Sequence, residues 1–277
     1  MHGGELREPK VIDDELVERL RAVVDLAPLH NAPALAAIDS ARRALPDVPH
    51  VAVFDTEFHA TIPDFAATYA LPAEWRSDIR RYGFHGLSVQ WASERVRAPR
   101  LVVCHLGGGC SVTAVHDGRS VDTTMGFTPL EGLPGATRSG SVDPGALLYL
   151  LRHSISADDL DRVLEHESGL ASLGGLDGEL GFGVFTYLVA KAVGGAAAAL
   201  GGLDAVVFTA GIGENRADVR AAVAERLGHL GVALDEALNE DAVPDADVAA
   251  AGSRARTHVI RAREELVAAR AARALLG

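Results

Sequence analysis

Several things are scarce in this sequence, and each scarcity removes a class of protein. Only two cysteines, Cys104 and Cys110, occur in 277 residues. That is too few for a disulfide framework, and neither has neighbours at metal-ligand spacing. A reducing, cytoplasmic setting is expected. The first twenty residues carry charges throughout and lack the apolar centre of a signal peptide. Long uninterrupted apolar runs are also missing. The longest, VFTYLVAKAVGGAAAALGGL from Val184, contains Lys191 and two glycine pairs, which suits a buried helix better than a bilayer span. Positive charge is in deficit, with a formal net charge of -12. Nucleic acid and anionic membrane are therefore not expected as partners. Small anions remain possible, because local arginines and loop amides can oppose the global field. Neither the Walker pattern nor the dinucleotide fingerprint occurs.

With 48% apolar and 23% charged residues, the chain has the composition of a globular protein, and its length suits two domains. Apolar spacing predicts amphipathic helices in IDDELVERLRAVV and, after Pro28 to Asn31, in APALAAIDSARRAL. HVAVFDT predicts a buried strand ending in a carboxylate, and RLVVCHLGGG another ending in three glycines. SVTAVHDGRSVDTT alternates about Asp117-Gly118 and predicts a tight hairpin. Helices are expected in GALLYLLRH, in DDLDRVLEH and over residues 179–200. DAVVFTAGIGEN predicts strand, glycine turn and helix start, and THVIRA and REELVAARAARALL a last strand and closing helix. The sum is a mixed α/β fold whose strands carry glycines and charges at their carboxyl ends, where open sheets place ligands.

The candidate residues lie at those ends. His105 to Gly109 and Gly211 to Asn215 are glycine turns whose amides could receive phosphate oxygens, and each could equally be a structural turn. Asp55 closes an apolar run, where a carboxylate is either a cap or a working group. His85, in RRYGFHG, reads as a structural histidine or a ligand-binding one. Arg138, in LPGATRSGSVDP, is either a surface charge or an anion-binding fork. At the start, His2-Gly3-Gly4-Glu5 reads as a loop that lets something approach closely.

Taken together, FDTEFHATIPDFAATYALPAEW, IRRYGFHGLS, VVCHLGGGCS, VDTTMGFTPLEGLPGATRSGSVDP, ESGL, VFTAGIGENRADVR and REELVAARAA resemble, in order and spacing, the acetate kinase family. The resemblance runs along essentially the whole chain. It implies an actin-like ATPase (ribonuclease H-like) α/β fold of two related domains, the first incomplete. Residues 1–57 with the closing helix 263–277 would belong to the first and 58–262 to the second. The implied reaction moves the ATP γ-phosphoryl group to acetate, giving acetyl phosphate and ADP, in a cytoplasmic homodimer; propionate is the alternative acceptor. By the same resemblance Asp55 matches the active-site acid, and His85 and Arg138 the pair that stabilises the transition state. His105, Leu106, Gly107, Gly108 and Gly109, with Gly211, Ile212, Gly213, Glu214 and Asn215, match the nucleotide loops. Leu29, Phe84 and Pro129 match the acetate methyl pocket, and Glu264 the Mg2+ ligand.

Departures from the family pattern are equally specific. HLGGG stands where HLGNG is usual, so Gly108 replaces an asparagine. After LASLGGL the chain runs through Asp177-Gly178 straight into ELGFGVFTYLV, omitting a loop with a nucleotide-contacting tripeptide. No NAGSSS-type segment is present, and Met1 stands where a GHRVVHGGE motif has its second valine. These differences imply a first domain short of sheet, with apolar helix faces exposed, and a chain with little or no turnover.

Overall fold

The computed structural model describes residues 2–24, 28–76 and 78–277; the side chains of Pro28 and Leu29 lie outside that description. Two short strands, β1 (Lys10–Val11) and β2 (Val51–Ala52), pair antiparallel near the start of the chain. The main sheet comprises β3 (Arg100–Leu106), β4 (Cys110–His116), β5 (Arg119–Thr123), β6 (Ala205–Thr209), β7 (Ala246–Asp247) and β8 (Arg256–Val259). Its order is β5-β4-β3-β6-β8-β7. The central strands β3, β6 and β8 are parallel, with Leu101 opposite Ala205 and Val206 opposite Thr257. Strand β4 returns antiparallel on β3, and β5 on β4 through a turn in which Asp117 and Gly118 both have positive φ, 47° and 77°. That mirror-image turn matches strand twist, which is why Asp-Gly stands there.

Both faces of the sheet are covered. The helix Glu179–Leu200 lies on one face, where Phe185, Val189 and Val193 are fully buried with Val102, Val112, Val206 and Phe208. It is long and apolar enough to cross a membrane, but it is the core helix of this sheet. It stops at Gly201, whose φ of 66° is accessible to glycine without strain. The opposite face is covered by the helix Gly86–Arg95, which buries Val89 and Ala92 against Leu101, Val103, Val115 and Val207. The sequence reading did not anticipate this helix. Its buried positions include Gly86, Ser88, Ala92 and Ser93, small residues that leave a faint apolar period. The closing helix Glu264–Leu276 is fastened to it: Arg270 pairs with Glu94 at 2.6 Å and lies over the Trp91 ring.

Residues 1–57 hold a small core of their own. Leu16, Val17 and Leu20 from the helix Asp14–Arg21 pack with Leu35 and Ile38 from the helix Pro28–Ala44, and with Leu6, Ala52 and Phe54. The helix expected after Asn31 starts earlier, at Pro28. The strand expected over HVAVFDT shrinks to two residues before Phe54-Asp55 turns away. Strand β2 pairs on one side only, so residues beyond Ala52 have no ladder to extend. Exposed apolar residues stand on the closing helix, at Leu266, Leu275 and Leu276, and on the helix Pro144–Arg152, none of whose residues is buried. Gly3 and Gly4 let part of the chain itself come close. A Cβ on Gly3 would stand 2.7 Å from the Phe54 ring, and Gly4 has φ of 58°, so the pair makes room for the protein's own core.

Candidate active site

Three connections at the carboxyl ends of the parallel strands meet on one side of the sheet. The first, Gly107 to Gly109 after β3, is open: a Cβ on Gly108 would have nothing within 4 Å. The second, after β6, is a short helix Ala210–Asn215 rather than a plain turn, entered through Ala210 with φ of 66°. Its Gly211 is exposed, whereas Gly213 is buried. Glu214 is turned inward, its Oε1 accepting from the amides of Ala210 at 3.0 Å and Ala262 at 2.9 Å. It thereby ties the second connection to the third, Ile260 to Glu264 after β8. Buried Arg220 supports the short helix from below, donating to the carbonyls of Gly213 and Glu214, both at 3.0 Å. Asn215 bonds back to the Gly211 carbonyl.

His85 stands before the helix Gly86–Arg95 in a left-handed conformation, φ 59° and ψ 24°. A non-glycine residue there is held by its surroundings. The His85 amide donates to Asp55 Oδ2 at 2.7 Å, and the Gly86 amide to the Asp55 carbonyl at 2.8 Å. Asp55 is thus bound to the histidine's backbone, and a Cβ on Gly86 would collide with the Asp55 carbonyl. The His85 ring stacks on His105, centroids 3.9 Å apart. Ser111 Oγ is 3.0 Å from His85 Nδ1, and Ser88 Oγ 2.8 Å from His105 Nδ1. Burial, the Arg138 charge and the neighbouring His30 and His59 push His85 down to about 3, and burial carries His105 well below its ordinary value. Both rings are neutral at neutral pH.

Arg138 comes from a loop with no regular structure, yet the loop is closely held. Gly135 N–H donates to the Arg138 carbonyl, Ala136 N–H to the Gly108 carbonyl, and Leu170 and Ala171 N–H to the carbonyls of Gly135 and Ala136. Gly169, at φ 64°, sits against the Arg138 backbone where a side chain would collide. The Arg138 side chain is 8% exposed, and among the described residues no hydrogen-bond or ion-pair partner meets its guanidinium. A Cβ built on Gly109 would stand 2.6 Å from Arg138 Nη2 and 3.3 Å from His85 Nε2. The two donors therefore converge on one point beside the glycine loop.

Two carboxylates belong to the same cluster, Asp55 on the His85 amide and Glu264 near Asp55. Glu264, at the start of the closing helix, is pushed up to about 7 by burial and then by the charge of Asp55. His30 belongs to the same cluster, lowered by burial and then by Arg138. It was not singled out in the sequence, where PLHNAP carries no local signal beyond a helix start. Among the described residues no group of three or more His, Cys, Asp or Glu side chains forms a ready cation cage. A pair of mutually repelling carboxylates is a donor set that suits Mg2+, which usually takes one or two protein oxygens.

Phe84 and Pro129 are both buried, and Phe84 packs with Met125. The buried His2 ring meets Phe84 edge-on, centroids 5.2 Å apart, and its own amide is held by Asn31 Oδ1 at 2.8 Å. Met125 was missed in the sequence because it acts through a distant partner, and the same distance hid the contact of His2 with Phe84. Leu29 lies outside the described side chains.

Comparison with known proteins fixes the family. The Acetokinase family model matches residues 1–270. The chain belongs to the acetate kinase family. It is 46% identical to the acetate kinase of Deinococcus deserti and 44% identical to that of Nostoc punctiforme. These matches cover 100% and 96% of this chain but 76% and 72% of the relatives. Among solved structures it resembles a propionate kinase from Francisella tularensis, with TM-score 0.91, 35% identity, and 98% of this chain and 76% of that one covered. It also resembles Porphyromonas gingivalis acetate kinase, with TM-score 0.90, 31% identity, and 100% and 76% covered. The fold is that of the actin-like ATPases, and the family is one of phosphotransferase enzymes. The match to a Synechococcus acetate kinase runs over 302 positions against 277 residues here, so about 25 positions of that relative have no counterpart within this chain. The expected site of shortening is a compact turn: Gly174 and Gly175 have positive φ, and Arg216 holds Asp177 at 3.1 Å and the Leu176 carbonyl at 3.3 Å.

Proposed function

We propose that this acetate kinase family member transfers the γ-phosphoryl group of ATP to acetate. The observation that carries the reading is the convergence of Arg138 Nη2 and His85 Nε2 beside Gly109. An acetate oxygen forms the new bond to phosphorus while the bond from phosphorus to the ADP oxygen breaks, and charge gathers on the three oxygens between. Acetate is already ionised at neutral pH, so no base is needed, and positioning plus charge compensation supply the rate. Neutral His85 serves as a donor: with Ser111 O–H directed to Nδ1, the proton sits on Nε2, aimed at the transferring group. Arg138 supplies the compensating charge, and Asp55 fixes His85 through its amide. Gly107 to Gly109 and Gly211 to Asn215 would receive the phosphates, and Asp55 and Glu264 would hold Mg2+. When bound, that ion neutralises charge on the phosphates. Phe84 and Pro129, with Leu29, would enclose the acetate methyl group.

The division into 1–57 with 263–277, and 58–262, belongs to the same proposal. It assigns Asp55 and Glu264 to the first unit and His85, His105 and Arg138 to the second, joined by the bond from the His85 amide to Asp55. A second copy is the proposed cover for the helix Pro144–Arg152, where Leu148, Tyr149, Leu150 and Leu151 are all exposed; the expected assembly is a homodimer. Nucleic acid and membrane are not proposed as partners, and the cytoplasm is the proposed compartment. A second reading, weak turnover with loosely held nucleotide, draws on the short turn at Leu173 to Gly178. Purified chain given ATP and Mg2+ should release ADP in proportion to added acetate. ADP release indifferent to acetate would count against the first reading, and propionate in place of acetate tests the alternative acceptor.

A further inference from the structure

The acyl pocket is formed on the segment Thr123 to Glu131, which has no regular secondary structure after β5. Something must hold such a segment in one shape, and one side chain does most of it. Arg81 Nη1 donates to three successive carbonyls, of Thr123, Thr124 and Met125, at 3.0, 3.2 and 3.0 Å. Its Nη2 donates to Glu131 Oε1 at 2.9 Å, at the far end of the same segment. Tyr69 completes the arrangement. Its ring lies under the Arg81 guanidinium, 5.5 Å from ring centre to Cζ, and its hydroxyl donates to Glu131 Oε2 while accepting from the Phe127 amide at 3.0 Å. Burial and the bond to Glu131 push the Tyr69 hydroxyl up to about 12, so it stays a donor.

Gly126 shows how tightly the parts fit. A Cβ there would overlap both Glu131 Oε2 and Tyr69 Oη. The Gly126 carbonyl in turn accepts from the amides of Tyr82 and Gly83, at 3.0 and 3.3 Å, immediately before Phe84 and His85. Met125, beside Gly126, is the residue that packs on Phe84. The chain of contacts therefore runs from Arg81, Glu131 and Tyr69 through Gly126 to the two faces of the pocket. None of the three side chains bonds to Gly107–Gly109 or to 210–215.

We infer that Arg81, Glu131 and Tyr69 are positioning residues for acceptor selectivity, a clamp that fixes the distance between Met125 and Phe84 and so the size of acyl group admitted. The inference deepens the acetate-pocket reading and rests on it. Its test uses Tyr69→Phe, which removes the hydroxyl's bonds to Glu131 and the Phe127 amide, and Glu131→Gln, which removes the carboxylate charge facing Arg81 and Tyr69, both at nearly constant shape. Each should raise the KM for acetate by roughly three- to tenfold, the scale of losing one or two partly buried hydrogen bonds. Each should also shift the propionate-to-acetate ratio of kcat/KM by about twofold or more. The KM for ATP should hold. A second readout does not need turnover. The chain has two methionines, so methyl-13C labelling gives two signals, and that of buried Met125 reports its distance from the Phe84 ring. Both variants should move that signal, and acetate should perturb it in the unaltered protein. An unmoved Met125 signal in both variants, or equal losses for acetate and ATP, would overturn the clamp. If acetate neither turns over nor perturbs Met125 in the unaltered chain while the variants still move it, the pocket reading fails, and the selectivity role with it.

Discussion

The candidate site joins two sets of side chains, a donor bank and a carboxylate bank, that are built in opposite ways. His85, His105 and Arg138 stand on the six-stranded sheet and its loops, where the two histidine rings are stacked, each with a serine partner, and held neutral. Asp55 and Glu264 come from the first and last parts of the chain, and Asp55 raises the cost of ionising Glu264. His85 and His105 are held in place without ligand, whereas the Arg138 guanidinium meets no protein partner among the described residues and Glu264 is raised by burial and by Asp55. In the proposed reaction the histidine donor is locked by packing, and the charges left unpaired are those that would take up phosphate and ion.

The comparison can be broken most severely from the donor bank. Arg138→Ala should lower kcat by about 10²–10³-fold, as loss of a transition-state donor does, with folding intact by circular dichroism. His85→Ala should act similarly, whereas Ser111→Ala, which removes only the orienting partner, should cost less and change the pH profile. On the other bank, Glu264→Gln should weaken the response to Mg2+ by tenfold or so, read from ADP release against Mg2+ concentration. In the unaltered chain Mg2+ binding should strengthen as pH rises through about 7, where Glu264 loses its proton.

Stability against pH separates the buried histidines from Glu264 by sign. Unfolded histidines take up protons near 6.5, but folded His2 resists until about 4 and His85 until about 3. Stability from these groups is therefore present above 6.5 and falls as pH drops from 6.5 toward 4. Glu264 acts in reverse. Between its ordinary 4.5 and about 7 the folded group keeps a proton that the unfolded one has lost, so its contribution falls as pH rises through that window. Melting curves without Mg2+ should show both slopes, and Glu264→Gln should remove only the second. The smallest effect is expected at Gly108. Asparagine fits there without collision, so Gly108→Asn should leave the melting temperature unchanged and lower the KM for ATP a few-fold by adding a phosphate contact.

Legibility in the sequence divided along a physical line. The β4–β5 hairpin and the long helix from Glu179 were readable because turn chemistry and periodicity are local. The glycine loops and the family motifs also lie in short runs. The helix Gly86–Arg95 was not readable, because it packs through Ser88, Ala92 and Ser93 rather than large apolar residues. His30, Met125 and the serine partners of the two histidines were missed for a different reason. Their significance lies in contacts across many residues, such as His85 to Ser111 and Phe84 to Met125, which no local pattern announces. The glycine pair at Gly3-Gly4 read as a loop open to close approach; within the chain Gly3 makes room for the Phe54 ring, since close approach by substrate and by core leave the same mark.

The central claim is that His85 and Arg138 converge on a phosphoryl group in flight to acetate. Phosphorus NMR of the purified chain with ATP, Mg2+ and acetate, beside Arg138→Ala, tests it most directly. The γ-phosphorus should pass into an acetyl phosphate signal in the unaltered chain and stay with ATP in the variant. Free inorganic phosphate as the sole product, or equal acetyl phosphate from both proteins, would contradict it.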